Sequence, residues 1–264
     1  MKPKALILRT AGTNCDAETD MAFQLAGAET ALVHIQHLIS DKVNLADYQI
    51  LAIPGGFSYG DDIAAGILLA VEMKHKLTDA LHRFVEDGKL IIGICNGFQV
   101  LVRTGLLPGN GTSEMRQRAT LAMNTSAKFE CRWVDLETQE SPCVFTTGVK
   151  ARVYLPVAHA EGKFTAPAKV LSELEANNQV VFRYAGNRYP NNPNGSDSDI
   201  AGICDATGKI FGLMPHPERF LTKWNHPRWT RNPANTQEIG SEEGDGLVIF
   251  KNAVNYVFSN FPCG

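Results

Sequence analysis

No segment of this 264-residue sequence has the run of ~20 uninterrupted apolar residues that a membrane span requires. The apolar stretch within Met1 to Thr10 is too short for a signal sequence, so the expectation is a cytoplasmic protein with no membrane role. Cysteine is sparse and scattered: the six residues include no Cys-x-x-Cys pair, which argues against a zinc ribbon and a disulfide framework. Cys15, Cys131, Cys143, Cys204 and Cys263 therefore read as buried or neutral thiols. His34 and His37 are three apart but follow a strand and lack a third ligand, so no metal site is expected. A net charge of −3 argues against a nucleic-acid surface. The chain has no G-x-x-x-x-G-K-[ST] phosphate loop, no internal repeat, no heptad array and no low-complexity block. What remains is a chain long enough to bury a large core, most simply as one domain over 1–264. It opens with its own Met1 and first strand, so it reads as a free-standing subunit.

Short apolar runs near Ala5 to Leu8, Thr30 to Ile35, Tyr48 to Ile53 and Lys89 to Ile94 alternate with helical segments, and that alternation predicts a parallel sheet wound with helices. Ile63 to Val85 reads as one amphipathic helix with a stripe through Ile67, Val71, Lys74 and Leu77, and with Met73 and Phe84 in the core. After about Thr120 the texture becomes strand-like, at Phe129 to Val134 and Gln179 to Tyr184, which predicts an antiparallel addition before the chain returns at Lys209. Leu247, Phe250, Val254 and Val257 give a last helix one apolar face. Gly186 to Asp199 has the composition of a mobile surface loop, and Leu221 to Gly246, with Trp224 and Trp229, suits either a docking surface or a locally packed extension.

Three strand ends carry chemistry. At the first, Gly93-Ile94-Cys95-Asn96-Gly97-Phe98-Gln99 places a cysteine where a buried strand turns into a helix, between two glycines that relieve crowding. A thiol there meets the unpaired N–H groups and positive dipole end of the helix, which favour thiolate. At the second, Pro217 biases His216 toward extended backbone, so His216 and Glu218, two apart, project to one side. The carboxylate would orient the imidazole as a base for the thiol. At the third, Ile53-Pro54-Gly55-Gly56 lets backbone N–H groups approach a substrate; Gly56 and Asn96 are the candidate oxyanion donors, with Gly55 beside them. Taken singly, each has a plainer reading: a core cysteine, a rigid proline turn, a Pro-Gly-Gly turn. Their coincidence at strand ends, where open parallel sheets hold their active sites, favours a thiol hydrolase.

These segments resemble the class I (triad) glutamine amidotransferases. Gly12-Thr13-Asn14-Cys15-Asp16, Gly56-Phe57-Ser58-Tyr59-Gly60-Asp61, Phe129-Glu130-Cys131-Arg132-Trp133, Asn192-Pro193-Asn194-Gly195-Ser196 and Met214-Pro215-His216-Pro217-Glu218-Arg219 narrow the likeness to glutaminase subunits of phosphoribosylformylglycinamidine synthase. The resemblance implies a three-layer, flavodoxin-like open sheet, mostly parallel, with helices on both faces. It also implies glutamine hydrolysis through a Cys95 thioester, with Gln99 positioning the substrate. Ammonia would pass to a large synthase subunit, with a small accessory subunit as a further candidate partner; ATP and Mg belong to the synthase subunit and no cofactor to this chain. It places Asn192 to Ser196 beside the glutamine pocket or at the partner surface. Ala160 departs from the family, which usually has glycine directly after His159, and so puts the local backbone in question. Rival readings are the glutaminase of another synthase, such as that for imidazole glycerol phosphate or CTP, and an inert binding or regulatory protein on the same fold.

Overall fold

The computed structural model describes residues 2–109, 115–230 and 242–261. Its strands are β1 (Lys4–Arg9), β2 (Glu29–His34), β3 (Ile50–Ile53), β4 (Leu90–Ile94), β5 (Thr120–Ala122), β6 (Glu130–Thr138), β7 (Arg152–His159), β8 (Lys163–Thr165), β9 (Val180–Tyr184), β10 (Ile200–Cys204) and β11 (Ile210–Leu213). The helices are α1 (Asp16–Leu25), α2 (Ile35–Ile39), α3 (Ile67–Lys76), α4 (Thr78–Glu86), α5 (Asn96–Thr104), α6 (Ala168–Ala176) and α7 (Leu247–Asn260). Nine strands form one sheet in the order β2-β1-β3-β4-β11-β10-β9-β6-β7. The block β2-β1-β3-β4-β11 is parallel, and β10, β9, β6 and β7 continue it antiparallel. The expected antiparallel addition is thus an extension of the same sheet. β5 and β8 form a separate two-stranded ribbon.

The central strands β3, β4, β10 and β11 are buried at every position. Strands covered on both faces need no polar alternation, which is why they read as continuous apolar runs. From β1 the chain crosses outward to β2, and from β3 it crosses the other way to β4, so right-handed connections place α1 on one face and α3 and α4 on the opposite one. α1 meets α7 through Phe23 and Phe250, edge to face with centroids 5.0 Å apart. α5 lies against β4 and β11, where Gly93 and Gly212 leave room for Leu101 and Phe98. Leu247, Phe250, Val254 and Val257 are all buried, as their spacing predicts.

The long helix expected over Ile63 to Val85 is instead two, broken at Leu77, which has φ −122° and ψ 12°. Thr78 turns its hydroxyl back to the carbonyl of Lys74 at the break. Such local competition with the backbone weakens a helix there. The buried stripe of α3 runs through Leu69, Ala70 and Met73, while Val71 is half exposed, so the predicted face is rotated. Met73 and Phe84 are in the core.

Candidate active site

The sheet reverses its winding between β1 and β3, and the loops after β1, β3, β4 and β11 meet at their carboxyl ends, as the general rule for open sheets expects. Cys95 joins β4 to α5 with φ 51° and ψ −105°. A residue with a Cβ keeps that backbone only where its surroundings enforce it. They do: a Cβ on Gly97 would overlap the carbonyl of Ile53, so only glycine lets the helix start this close to β3. No side chain caps the N-terminus of α5, and the N–H of Asn96 is a first-turn donor without an intrahelical partner.

His216 stands at the end of β11, on the far side of β4 from β3. Its Nδ1 lies 2.7 Å from Oε1 of Glu218, and both side chains are buried. Burial alone would lower the proton affinity of the imidazole, but the charge of Glu218, then that of Cys95, outweighs it and holds His216 well above its ordinary value. Nε2 is buried and makes no hydrogen bond in this geometry, while the Cys95 thiol is directed to the carbonyl of Ala158 at 3.6 Å. The sulfur of Cys95 is thus close enough to the imidazole to raise its proton affinity while also lying 3.6 Å from the Ala158 carbonyl.

On the third side, Gly56 has φ +148°, and a Cβ there would stand 2.7 Å from the carbonyl oxygen of Gly12. The loop from Gly55 is pinned to the loop after β1: Asn14 and Cys15 donate to the Gly55 carbonyl at 3.4 and 3.1 Å, and Phe57 donates to Gly12 at 2.9 Å. These bonds pass Gly56 by and leave its N–H without a backbone acceptor in the described residues. Gly55 packs against the histidine: a Cβ on it would lie 2.8 Å from Cε1 of His216. Gln99 is engaged at both ends, accepting from Asn96 at 2.9 Å and donating to the Glu161 carbonyl at 2.6 Å. It therefore braces α5 against the segment after β7.

Cys15, read from the sequence as a buried or neutral thiol, is buried and also belongs to this constellation. Its sulfur is 3.9 Å from Nδ1 of His216, accepts from Arg219 at 3.1 Å and donates to Oδ1 of Asn14 at 3.2 Å. Burial, above all, raises its pKa, so this thiol stays protonated. The signal available was position: Cys15 also follows a parallel strand, at the same end of the sheet as Cys95. Cys15, His216 and Glu218 bring ligand-type atoms within 4.8 Å of one another. Arg219 adds a positive charge at that sulfur and Glu218 already holds Nδ1, so the grouping serves the imidazole rather than a cation.

His159, the other buried histidine, is at the end of β7. Desolvation first, and the charge of His216 second, push its pKa down to about 3, so it is neutral. Its Nδ1 lies 3.2 Å from Oδ1 of Asn124. Ala160 does not take a left-handed backbone, so the absent glycine causes no strain there. Asn192, Asn194 and Ser196 are buried, which overturns the composition-based picture of a surface loop for that part of Gly186 to Asp199. Asn194 donates to the Tyr184 hydroxyl at 2.9 Å and receives both the N–H and the hydroxyl of Ser196. Tyr184 is itself fully buried at the end of β9, and burial raises its pKa, so the loop is held to the sheet through a neutral phenol. Phe220, His226, Trp133 and Tyr154 form a ring cluster, so the start of the 221–246 segment is locally packed, while Trp224 and Trp229 are half exposed. Residues 231–241 of that segment, and Cys263, lie outside the described residues. No helix among the described residues is long and apolar enough to cross a membrane.

A strained cysteine at a strand-to-helix turn, a buried histidine–glutamate pair and a glycine loop with a free N–H define an amidotransferase-type thiol hydrolase. The chain belongs to the CobB/CobQ-like glutamine amidotransferase domain family, whose model matches residues 2–257. It is 54% identical over 261 residues to phosphoribosylformylglycinamidine synthase subunit PurQ of Dehalococcoides mccartyi, covering 97% of this chain and 98% of that one. The PurQ subunit of Archaeoglobus fulgidus is 42% identical over 275 residues, covering 96% and 97%. Among solved structures, that of PurLQS from Thermotoga maritima matches with a TM-score of 0.72 and 34% identity, covering 97% of this chain and 100% of that one.

Proposed function

We propose that this chain is the glutaminase subunit of a phosphoribosylformylglycinamidine synthase, a cytoplasmic enzyme of purine biosynthesis. The observation that carries the reading is the convergence of Cys95, at its strained turn, on the buried His216–Glu218 pair. The PurQ likeness over nearly the whole chain favours this synthase over those for imidazole glycerol phosphate or CTP.

In the reaction, His216 takes the Cys95 proton and the thiolate attacks the side-chain amide carbon of glutamine. The N–H groups of Gly56 and Asn96 receive the developing oxyanion, with Gly55 holding the ring face of His216. Imidazolium, stabilised by Glu218, protonates the departing ammonia and leaves a glutamyl thioester. The same ring then takes a proton from water, whose oxygen displaces the thiol and releases glutamate. The raised proton affinity of His216 suits the first of these steps, since it favours the thiolate–imidazolium pair. Neutral His159 and the Ala158 carbonyl form the wall opposite, and Gln99 fixes the Glu161 end of that wall.

Ammonia passes to the large synthase subunit, which uses ATP with magnesium to convert formylglycinamide ribonucleotide to formylglycinamidine ribonucleotide; a small accessory subunit is a further candidate partner. The test is ammonia release from glutamine by the purified chain with the synthase subunit of its own organism. Stimulation by that partner, and formation of the amidine product, are expected. Stimulation by a different synthase, with none from this one, would move the chain to another pathway.

A further inference from the structure

We propose that the side chain of Asn96 is a positioning latch that holds the Gly56 loop and the first turn of α5 in the geometry that binds the oxyanion. This rests on the glutaminase reading above, which uses only the backbone N–H of Asn96.

The side chain is buried and fully committed. Oδ1 accepts the N–H of Ser58 at 3.2 Å, and Nδ2 donates to Oδ1 of Asp61 at 3.1 Å and to Oε1 of Gln99 at 2.9 Å. One residue thus grips both ends of the segment Ser58 to Asp61. That segment needs a grip: Tyr59, Gly60 and Asp61 have φ of 55°, 72° and 51°, three left-handed residues in succession, two of which carry a Cβ. Asp61 is a prepared anchor, since its Oδ1 also accepts the N–H of Gly66 at 3.2 Å.

The other ties run elsewhere. Phe57 and Tyr59 donate to Gly12 and Ala11 of the loop after β1, and the Tyr59 hydroxyl is bonded to Glu72 of α3. Among the described hydrogen bonds, only those of the Asn96 side chain join residues 57–61 to α5. Gly56 is two residues before Ser58, and the other oxyanion donor is the N–H of Asn96 itself. The latch therefore sets the spacing between the two donors, which must be correct to a few tenths of an ångström for both to reach one oxygen. The task needs an amide. Aspartate would face the Asp61 carboxylate with no donor, and leucine offers neither function.

The test separates the oxyanion hole from the nucleophile. For wild type, Asn96→Ala, Asp61→Ala and Asp61→Asn, glutamine hydrolysis is measured with the synthase subunit saturating. In parallel, iodoacetamide alkylation of Cys95 is followed by peptide mapping, since that displacement uses the thiolate but forms no oxyanion. Asn96→Ala should lower kcat on the order of 100-fold with a much smaller change in KM, and Asp61→Ala by at least about tenfold. Asp61→Asn keeps the acceptor and should stay within about threefold of wild type, and Cys95 alkylation should stay within about twofold in every variant. A near-normal kcat for Asn96→Ala would overturn the latch. So would equal damage from Asp61→Asn and Asp61→Ala, or a fall in alkylation that matches the fall in kcat. Should Asn96→Ala fail to fold, the Asp61 pair decides the question. A wild-type complex that hydrolyses no glutamine would instead refute the glutaminase reading, and the latch with it.

Discussion

Replacing Glu218 by glutamine keeps the shape of the buried pair and removes its charge. The bond to Nδ1 of His216 is 2.7 Å long and shielded from water, a setting in which a charge-assisted hydrogen bond contributes about 2–3 kcal/mol, or roughly 30- to 150-fold in rate. The direction in pH follows from the two influences on the imidazole. In the wild type the carboxylate outweighs burial and raises the folded pKa above the ordinary 6.5. The pair therefore contributes stability that is fully present below pH 6.5 and is lost as pH rises through the folded pKa. Glu218→Gln leaves burial in control, so His216 becomes neutral at lower pH and the thiolate–imidazolium pair is disfavoured. The assay is glutamate formation with saturating synthase subunit between pH 6 and 9, beside thermal unfolding over the same range. We expect kcat/KM to fall by the factor above and the loss of stability on the alkaline side of 6.5 to flatten. A variant within threefold of wild type, with an unchanged unfolding profile, would refute the claim that Glu218 sets the charge on His216.

Cys95→Ala should abolish glutamine-dependent synthesis by the assembled enzyme and leave ammonia-dependent synthesis intact, which product formation with each nitrogen source checks. His216→Ala should be at least about tenfold worse than Glu218→Gln, because it removes the proton acceptor and not its orienter; thioester trapping with labelled glutamine decides this. A glutamine-derived affinity reagent should label Cys95 and spare Cys15, whose thiol burial keeps protonated; labelled peptides from wild type and Cys95→Ala report the choice. Gly97→Ala should cost roughly 3 kcal/mol or more in denaturant unfolding, since its Cβ has nowhere to go but into the Ile53 carbonyl. The isolated chain should hydrolyse glutamine at least about tenfold more slowly than the complex, a cautious fraction of the effect of one misplaced oxyanion donor, and ammonia release with and without partner measures it.

The parallel half of the fold was legible because buried strands announce themselves as apolar runs, and β1, β3, β4 and β11 lie where those runs fall, while the edge strand β2 kept enough apolar residues to be read despite its exposure. The placement of Cys95, His216 and Glu218 at neighbouring strand ends was legible for a related reason: chemistry at strand ends leaves glycines and prolines around the residues it uses. The break at Leu77 was not, because no proline or glycine marks it and the hydroxyl of Thr78, the first residue of α4, bonds back to Lys74 in α3. Nor was the place of Cys15. Its position after a parallel strand places it at the active end of the sheet but does not tell that the loop after β1 folds toward His216, a residue two hundred positions away whose strand joins the sheet last among the parallel ones. The burial of Asn192 to Ser196 escaped composition because its polar atoms satisfy one another and Tyr184, a pairing that leaves no periodic trace.

The position of β11 has a consequence for the chain as it is made. β4 leads into Cys95, the proposed nucleophile, and its neighbour on one side is β11, so the stretch between Ile94 and Ile210 must leave the ribosome before that edge is closed. Until then β4 is an apolar strand with an unpaired row of N–H and carbonyl groups, the kind of edge that recruits other chains. His216, the proposed base, arrives just after the strand that seals it. Closing the sheet and completing the proposed triad are therefore one event: a nascent chain is expected not to consume glutamine, and a fragment that stops short of β11 should come out of the cell as aggregate rather than as a partly active enzyme.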